Sequence, residues 1–216
     1  MNAATAQPDS AHYRRGYLSH ERWLSYVHQI TAVSDLAPKS VIEVGVGPGV
    51  KKAMTEAAFE GCRYVGVDLR PALGPQVCAD VLRLPFADGA ADVTFCCQVL
   101  EHLPYEHFVA SLDELKRVTR QRVVMSLPDV RPFFYLRARV PGFRHAFPWL
   151  WKGISLSHPF APRHCFESHG QHHWEIGKRG FSARRVLDDI GSLGWGRVRQ
   201  FRMIERWYWH FFLLDL

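Results

Sequence analysis

The sequence contains no apolar run approaching the roughly 18 residues that a membrane-spanning helix needs, which argues against an integral membrane protein. Its first residues, MNAATAQPDSAHYRR, are polar and lack the apolar segment of a secretory signal, so a cytoplasmic protein is expected. Cysteine is scarce and odd in number: five, at positions 62, 78, 96, 97 and 165. Their irregular spacing makes no disulfide framework and suits a reducing compartment. Neither a paired C-x-x-C nor an H-E-x-x-H occurs, so no standard zinc spacing is present and no metal is expected. Internal repeats and low-complexity tracts are also missing. Acidic residues are outnumbered, 21 against 27 Lys and Arg, for a formal charge of +6. That excess permits an anionic partner without requiring one.

What is present is enough for one real core. The chain has 216 residues, 47% of them hydrophobic, which is short for two full domains. Residues 19–32, SHERWLSYVHQITA, read as an amphipathic helix with Ser19 as its cap. Trp23, Leu24, Val27 and Ile30 recur on it at helical spacing. A strand–helix alternation follows. Strands are expected at 40–46, 63–69, 76–81, 91–99 and 121–127, the last closed by Pro128. Helices are expected at about 50–60 and on the segment carrying Phe108, Leu112, Leu115 and Val118. Such alternation builds a mostly parallel sheet covered by helices on both faces. After a helix capped by Ser182, residues 194–201 and the terminal WYWHFFLLDL read as two strands close enough to pair antiparallel.

The expected fold is therefore a Rossmann-like, doubly wound α/β sheet of about seven strands, the last one antiparallel. It forms a single domain in four stretches: an N-terminal helical segment (1–35), a core (36–130), an insertion (131–175) and a completion of the sheet (176–216).

The chemistry begins at VIEVGVGPGV. Gly45, Gly47 and Gly49 follow a strand that carries Glu43, and they open a helix. Glycines let a chain turn tightly and let a ligand lie against bare backbone. The dinucleotide fingerprint G-x-G-x-x-G is not met, because Val50 stands where its third glycine belongs. That departure disfavours a nicotinamide-dependent oxidoreductase. Asp68 ends the next strand, nineteen residues after Gly49, where a carboxylate can accept both hydroxyls of a ribose.

Taken in order, E-x-G-x-G-x-G, Asp68 in VGVDLRP, Asp80 in CADVLRLPFADGAADV and QVLEHLP at 98–104 resemble the motifs of class I S-adenosylmethionine (SAM)-dependent methyltransferases. The bacterial group with D-x-x-x-LPF and LEHL signatures is the most similar. The likeness covers about residues 38–130, and more weakly 172–182. It implies SAM as cofactor, with Gly45, Gly47 and Gly49 around its methionine portion and Glu43 orienting the ammonium group. It further implies Asp68 on the ribose, Asp80 and the Val81 amide at the adenine, and Gln98 facing the methionine portion and the donated methyl. His102, in the LEH segment, is a candidate base, histidine being the usual one near neutral pH.

The methyl acceptor is sought in residues 131–175. RHCFESHGQHHWEIGKRG gathers His164, Cys165, Glu167, His169, His172, His173 and Glu175. Loop histidines packed beside Trp174 are the plain reading. For catalysis His172 and His173 are preferred, because the insertion should overhang the sheet edge where open α/β sheets bind ligands. Upstream, Arg131, Arg137, Arg139, Arg144 and Lys152 interleave with aromatics and no acid. This stretch reads as a lid on the core, as a peripheral contact with an anionic membrane surface at the inner face, or as a nucleic-acid contact. Nucleic acid is disfavoured, since no RNA-binding module is recognisable. No N/D-P-P-Y motif follows the fourth strand, which argues against methylation of bases or glutamine. The expected acceptor is thus a small molecule, a glycan or a lipid-linked compound. A catalytically silent SAM-binding subunit is the other reading. Nothing in the sequence specifies an oligomeric state.

Overall fold

A computed structural model describes residues 17–132 and 172–216. Seven strands form one sheet in the order β3-β2-β1-β4-β5-β7-β6. They are β1 (Ser40–Val44), β2 (Arg63–Asp68), β3 (Val77–Cys78), β4 (Ala91–Cys97), β5 (Thr119–Pro128), β6 (Arg197–Arg202) and β7 (Trp209–Asp215). The first five are parallel, and β7 runs antiparallel to both β5 and β6. The helices are α1 (His20–Thr31), α2 (Val50–Ala58), α3 (Phe108–Val118) and α4 (Ala183–Gly191).

Strand periodicity explains the layers. Ile42 and Val44 on β1, Val123, Met125 and Leu127 on β5, and Phe212 and Leu214 on β7 point to one face. Leu112, Leu115 and Val118 of α3 and Val186 and Ile190 of α4 cover it. The alternate residues Val41, Val93, Phe95, Val124 and Phe211 point to the other face, against Leu24 and Ile30 of α1. Ser19 and Ser182 cap their helices as expected, accepting from Arg22 N and Arg185 N.

Three expectations need correction. The third strand is not 76–81 but the two residues Val77–Cys78. Asp80 Oδ1 accepts from Leu82 N at 2.9 Å and turns the chain out of the sheet. The fifth strand starts earlier, at Thr119, and includes Pro128. On α1 the apolar periodicity marks the buried face only in part: Leu24 and Ile30 pack against the core, but Trp23 and Val27 are 44% and 49% exposed, while Ser25, Tyr26 and Gln29 are buried. Those polar residues face a cavity rather than the core, which is why hydrophobic spacing misreports the face. Most of the 131–175 insertion lies outside the described residues, including the basic-aromatic run from position 133, His164, Cys165, Glu167 and His169, as does the N-terminal tail. Among the described residues, no helix is long and apolar enough to cross a membrane.

The order places β1 beside β4, and chain connections leave this pair in opposite directions, toward β2 and toward β5. Open α/β sheets bind ligands at such a switch point, outside the carboxyl ends of the strands.

Candidate active site

The loops leaving β1, β2 and β4 enclose one cavity, closed on a further side by Tyr17, Arg22, Tyr26 and Gln29. Gly45, Gly47, Asp68, Asp80, Val81, Gln98 and His102 all line it. The sequence scatters these residues over almost sixty positions, and the sheet edge brings them together.

Each element sets its side chain in a definite way. Gly45 has φ 82°, and a Cβ there would collide with Val99 Cγ2. A side chain at 45 would thus be both strained and in collision. Gly47 (φ 52°) and Gly49 (φ 74°) continue the left-handed turn into α2. Asp68 ends β2, with Oδ1 accepting from Arg70 N at 3.0 Å. Asp80 and Val81 follow β3, the first exposed and the second buried. Gln98 takes φ 56°, a conformation uncommon for a residue with a side chain. Its Nε2 donates to Ser126 Oγ at 3.2 Å and its backbone N to Ser126 O at 2.9 Å. Backbone held this way at a cavity wall is a frequent mark of a functional position.

Glu43 is arranged differently from the expectation. It lines the cavity, but its Oε1 lies 2.7 Å from Lys51 Nζ and its Oε2 accepts from the Tyr64 hydroxyl. Burial pushes its carboxyl up against the opposing pull of Lys51 and Tyr64. Any contact with a ligand's ammonium group would have to be shared with this pairing. Lys51, only 3% exposed and 4.8 Å above the Phe95 ring, is a cavity residue that sequence reasoning missed. Its place in the first turn after the glycine loop was the available signal. Tyr17, Arg22, Tyr26 and Gln29 were missed for a different reason: nothing local marks a helix face as facing a cavity.

At the other end of the cavity the structure joins the two candidate histidine segments. His173 N donates to Glu101 O at 2.7 Å, tying residues 172–178 to the loop after β4. As a result the His102 and His172 rings meet edge to face, 5.1 Å between centroids. His173 gives its backbone to this junction. One ligand atom each of Glu101, His102 and His172 lie within 4.8 Å of one another, a grouping the expectation of no metal did not foresee. Glu101 is fully buried, neither carboxyl oxygen has a hydrogen-bond partner, and desolvation raises it to about 7. His172 Nδ1 lies 2.8 Å from Glu175 Oε1, which also accepts from Tyr208 OH at 2.6 Å. Burial works to lower the His172 pKa, but the bond to Glu175 and the charges of Glu101 and Glu175 raise it.

The donor set suits SAM. A glycine cradle, carboxylates at the end of β2 and after β3, and the Gln98 amide after β4 line one cavity, as a molecule with an amino-acid end, a ribose and an adenine requires. The fold and this arrangement resemble those of class I SAM-dependent methyltransferases, whose cofactor is SAM. Residues 42–127 match the family described as "Methyltransferase domain".

A probable phthiotriol/phenolphthiotriol dimycocerosates methyltransferase of Mycobacterium ulcerans is 28% identical over 142 residues, 60% of this chain and 50% of that protein. A malonyl-[acyl-carrier protein] O-methyltransferase of Legionella pneumophila is 31% identical over 100 residues, 38% of this chain and 33% of that one. The chain thus spans half or less of the length of these curated relatives. Among solved structures, the Burkholderia thailandensis 1,6-didemethyltoxoflavin-N1-methyltransferase, with its substrate and S-adenosylhomocysteine bound, superposes with a TM-score of 0.56 at 15% identity. That match covers 95% of this chain and 83% of the other.

Proposed function

We propose that the protein transfers the methyl group of SAM to an oxygen or nitrogen of a small-molecule, glycan or lipid-linked acceptor. The observation that carries this reading is the convergence of the glycine loop, Asp68, Asp80, Gln98 and His102 on one cavity. SAM supplies an electrophilic methyl on a sulfonium, and transfer is an in-line displacement. The chain's task is to align the acceptor and exclude water, for which positioning can contribute on the order of 7–11 kcal/mol at best. In this reading Gly45, Gly47 and Gly49 admit the methionine portion, with Glu43 acting through Lys51. Asp68 holds the ribose, Asp80 and the Val81 amide meet the adenine, and Gln98 faces the transferring methyl. The Glu101, His102 and His172 cluster forms the acceptor end, where a hydroxyl must lose its proton; His173 holds that segment in place.

The names of the two relatives, one acting on a lipid and one on an acyl-carrier substrate, support an acceptor on a lipid or acyl carrier. The basic-aromatic run of residues 131–152 fits the same picture as a lid or as a contact with an anionic membrane surface, in a cytoplasmic protein that touches the inner face.

Calorimetry tests the cofactor assignment. SAM and S-adenosylhomocysteine should each bind one to one. Asp68→Ala should weaken binding by about 1.5–3 kcal/mol, the range for a lost hydrogen bond to a charged group. NADH binding with no response to either SAM compound would overturn the assignment. SAM consumption against a cell extract, split into lipid, polar and macromolecular fractions, separates an enzyme from a silent SAM-binding subunit.

A further inference from the structure

We propose that Glu101, His102 and His172 bind one divalent transition-metal ion at the acceptor end of the cavity. This deepens the methyltransferase reading and rests on it for the location of the acceptor, but the metal site itself stands on three independent observations.

The first is composition. Two imidazoles and one carboxylate present one ligand atom each within 4.8 Å of one another. Such a set suits zinc and its neighbours and leaves coordination positions open for another ligand. Ligand atoms about 2.1 Å from a tetrahedral zinc stand roughly 3.4 Å apart, so closure asks for side-chain movements of about an ångström. The three residues come from chain segments about seventy positions apart, joined by the bond from His173 N to Glu101 O.

The second is the carboxylate. Glu101 has 0% exposure, and neither of its oxygens has a hydrogen-bond partner. Burying a carboxylate without partners is costly, and native proteins rarely do so without compensation. A cation held between Glu101 and the two histidines supplies that compensation.

The third lies behind His172. Metal-ligating histidines usually give their second ring nitrogen to a carboxylate, which fixes the tautomer and aims the ring. His172 Nδ1 lies 2.8 Å from Glu175 Oε1, and Glu175 is itself buried and held by Tyr208 OH at 2.6 Å. Ligation through Nε2 keeps that pairing intact.

His102 and Gln98 line the SAM cavity, so the ion would stand beside the transferring methyl. The acceptor class that follows is an oxygen compound able to bind a cation: a hydroxyl flanked by a second hydroxyl, a carbonyl or a carboxylate. A cation makes such a hydroxyl more acidic and fixes its direction.

The test uses the full chain, stripped with a chelator and then titrated with Zn²⁺ or Mn²⁺ by calorimetry, with thermal melting in parallel. The expected result is one ion per chain and a rise in melting temperature on adding it. Glu101→Gln and His172→Ala should each lose that ion, with affinity at least tenfold weaker. Glu175→Gln should weaken it by about 10–100-fold through His172. Glu101→Gln should melt no lower than the stripped wild type, because it removes an unpartnered buried charge, so loss of metal cannot be put down to misfolding. Undiminished stoichiometry in both Glu101→Gln and His172→Ala, or no saturable binding at all, overturns the proposal. SAM titration of the same stripped protein should be unchanged; a metal failure with SAM binding intact overturns the ion alone, whereas absent SAM binding overturns the methyltransferase reading.

Discussion

Asp129→Ala is expected to destabilise the protein by about 3 kcal/mol, near the lower end of the range for removing one partner of a buried ion pair. For a chain of this size that corresponds to a fall in melting temperature of roughly 6–12 °C. Asp129 has no solvent exposure and follows directly on β5. Its oxygens accept from His210 Nδ1 at 2.9 Å, from Arg131 N at 3.0 Å and from Arg131 Nη2 at 2.7 Å, and Arg202 Nη1 stands 3.7 Å away. Removal leaves Arg202 and His210, both nearly buried, facing an uncompensated site. Arg131 is 28% exposed and can turn to water, which keeps the cost near the low end.

The same site sets an acid dependence. Burial pushes the Asp129 carboxyl up, but bonds from His210 and Arg131 and the charges of Arg131 and Arg202 prevail and hold it at about 2. An unfolded aspartate titrates at about 3.9. The folded pKa is the lower one, so this stabilisation is complete above about pH 4 and is lost as pH falls toward 2. Burial also lowers the His210 pKa in spite of Asp129. The unfolded chain therefore takes up that proton first, and stability also declines below about pH 6.5. Urea unfolding of wild type and Asp129→Asn between pH 2.5 and 7 measures both effects. An equally steep loss below pH 4 in the variant would contradict the assignment to Asp129.

The second large effect is expected in turnover. His172→Ala should lower the methyl-transfer rate about 10²–10⁴-fold against the true acceptor, the usual range for losing help with the acceptor's proton, here given by the ion that His172 holds and that makes the hydroxyl more acidic. SAM affinity should stay within about twofold, because the proposed SAM contacts lie on the loops after β1 to β4 and do not include residue 172. His102→Ala should lower turnover too, with some effect on SAM because His102 lines the cavity. Normal turnover by His172→Ala would move the acceptor site elsewhere, toward the Tyr17, Arg22 and Tyr26 wall.

The fold class was legible because strand and helix periods are local. The short β-branched runs in SVIEV and RYVGVD, and helical spacing from Phe108 to Val118, need no tertiary information, and they became strands and a helix packed on the core. The same logic held only in part on α1, where Leu24 and Ile30 meet the core but the cavity buries Ser25, Tyr26 and Gln29. It also lengthened β3, because an Asx turn at Asp80 competes with the ladder.

The sequence by itself determined the parallel α/β architecture, the glycine loop with its positive φ angles, and the carboxylates after the second and third strands. These depend on residue type and short-range spacing, which backbone sterics and hydrogen bonding read directly. Only the tertiary structure decided that Glu43 is bound to Lys51, that α1 closes the cavity, and that His172 joins Glu101 and His102. Those pairings cross long stretches of chain and are set by sheet order and by burial, where an unpartnered charge is costly and the nearest compensating group, however distant in sequence, determines what each residue does.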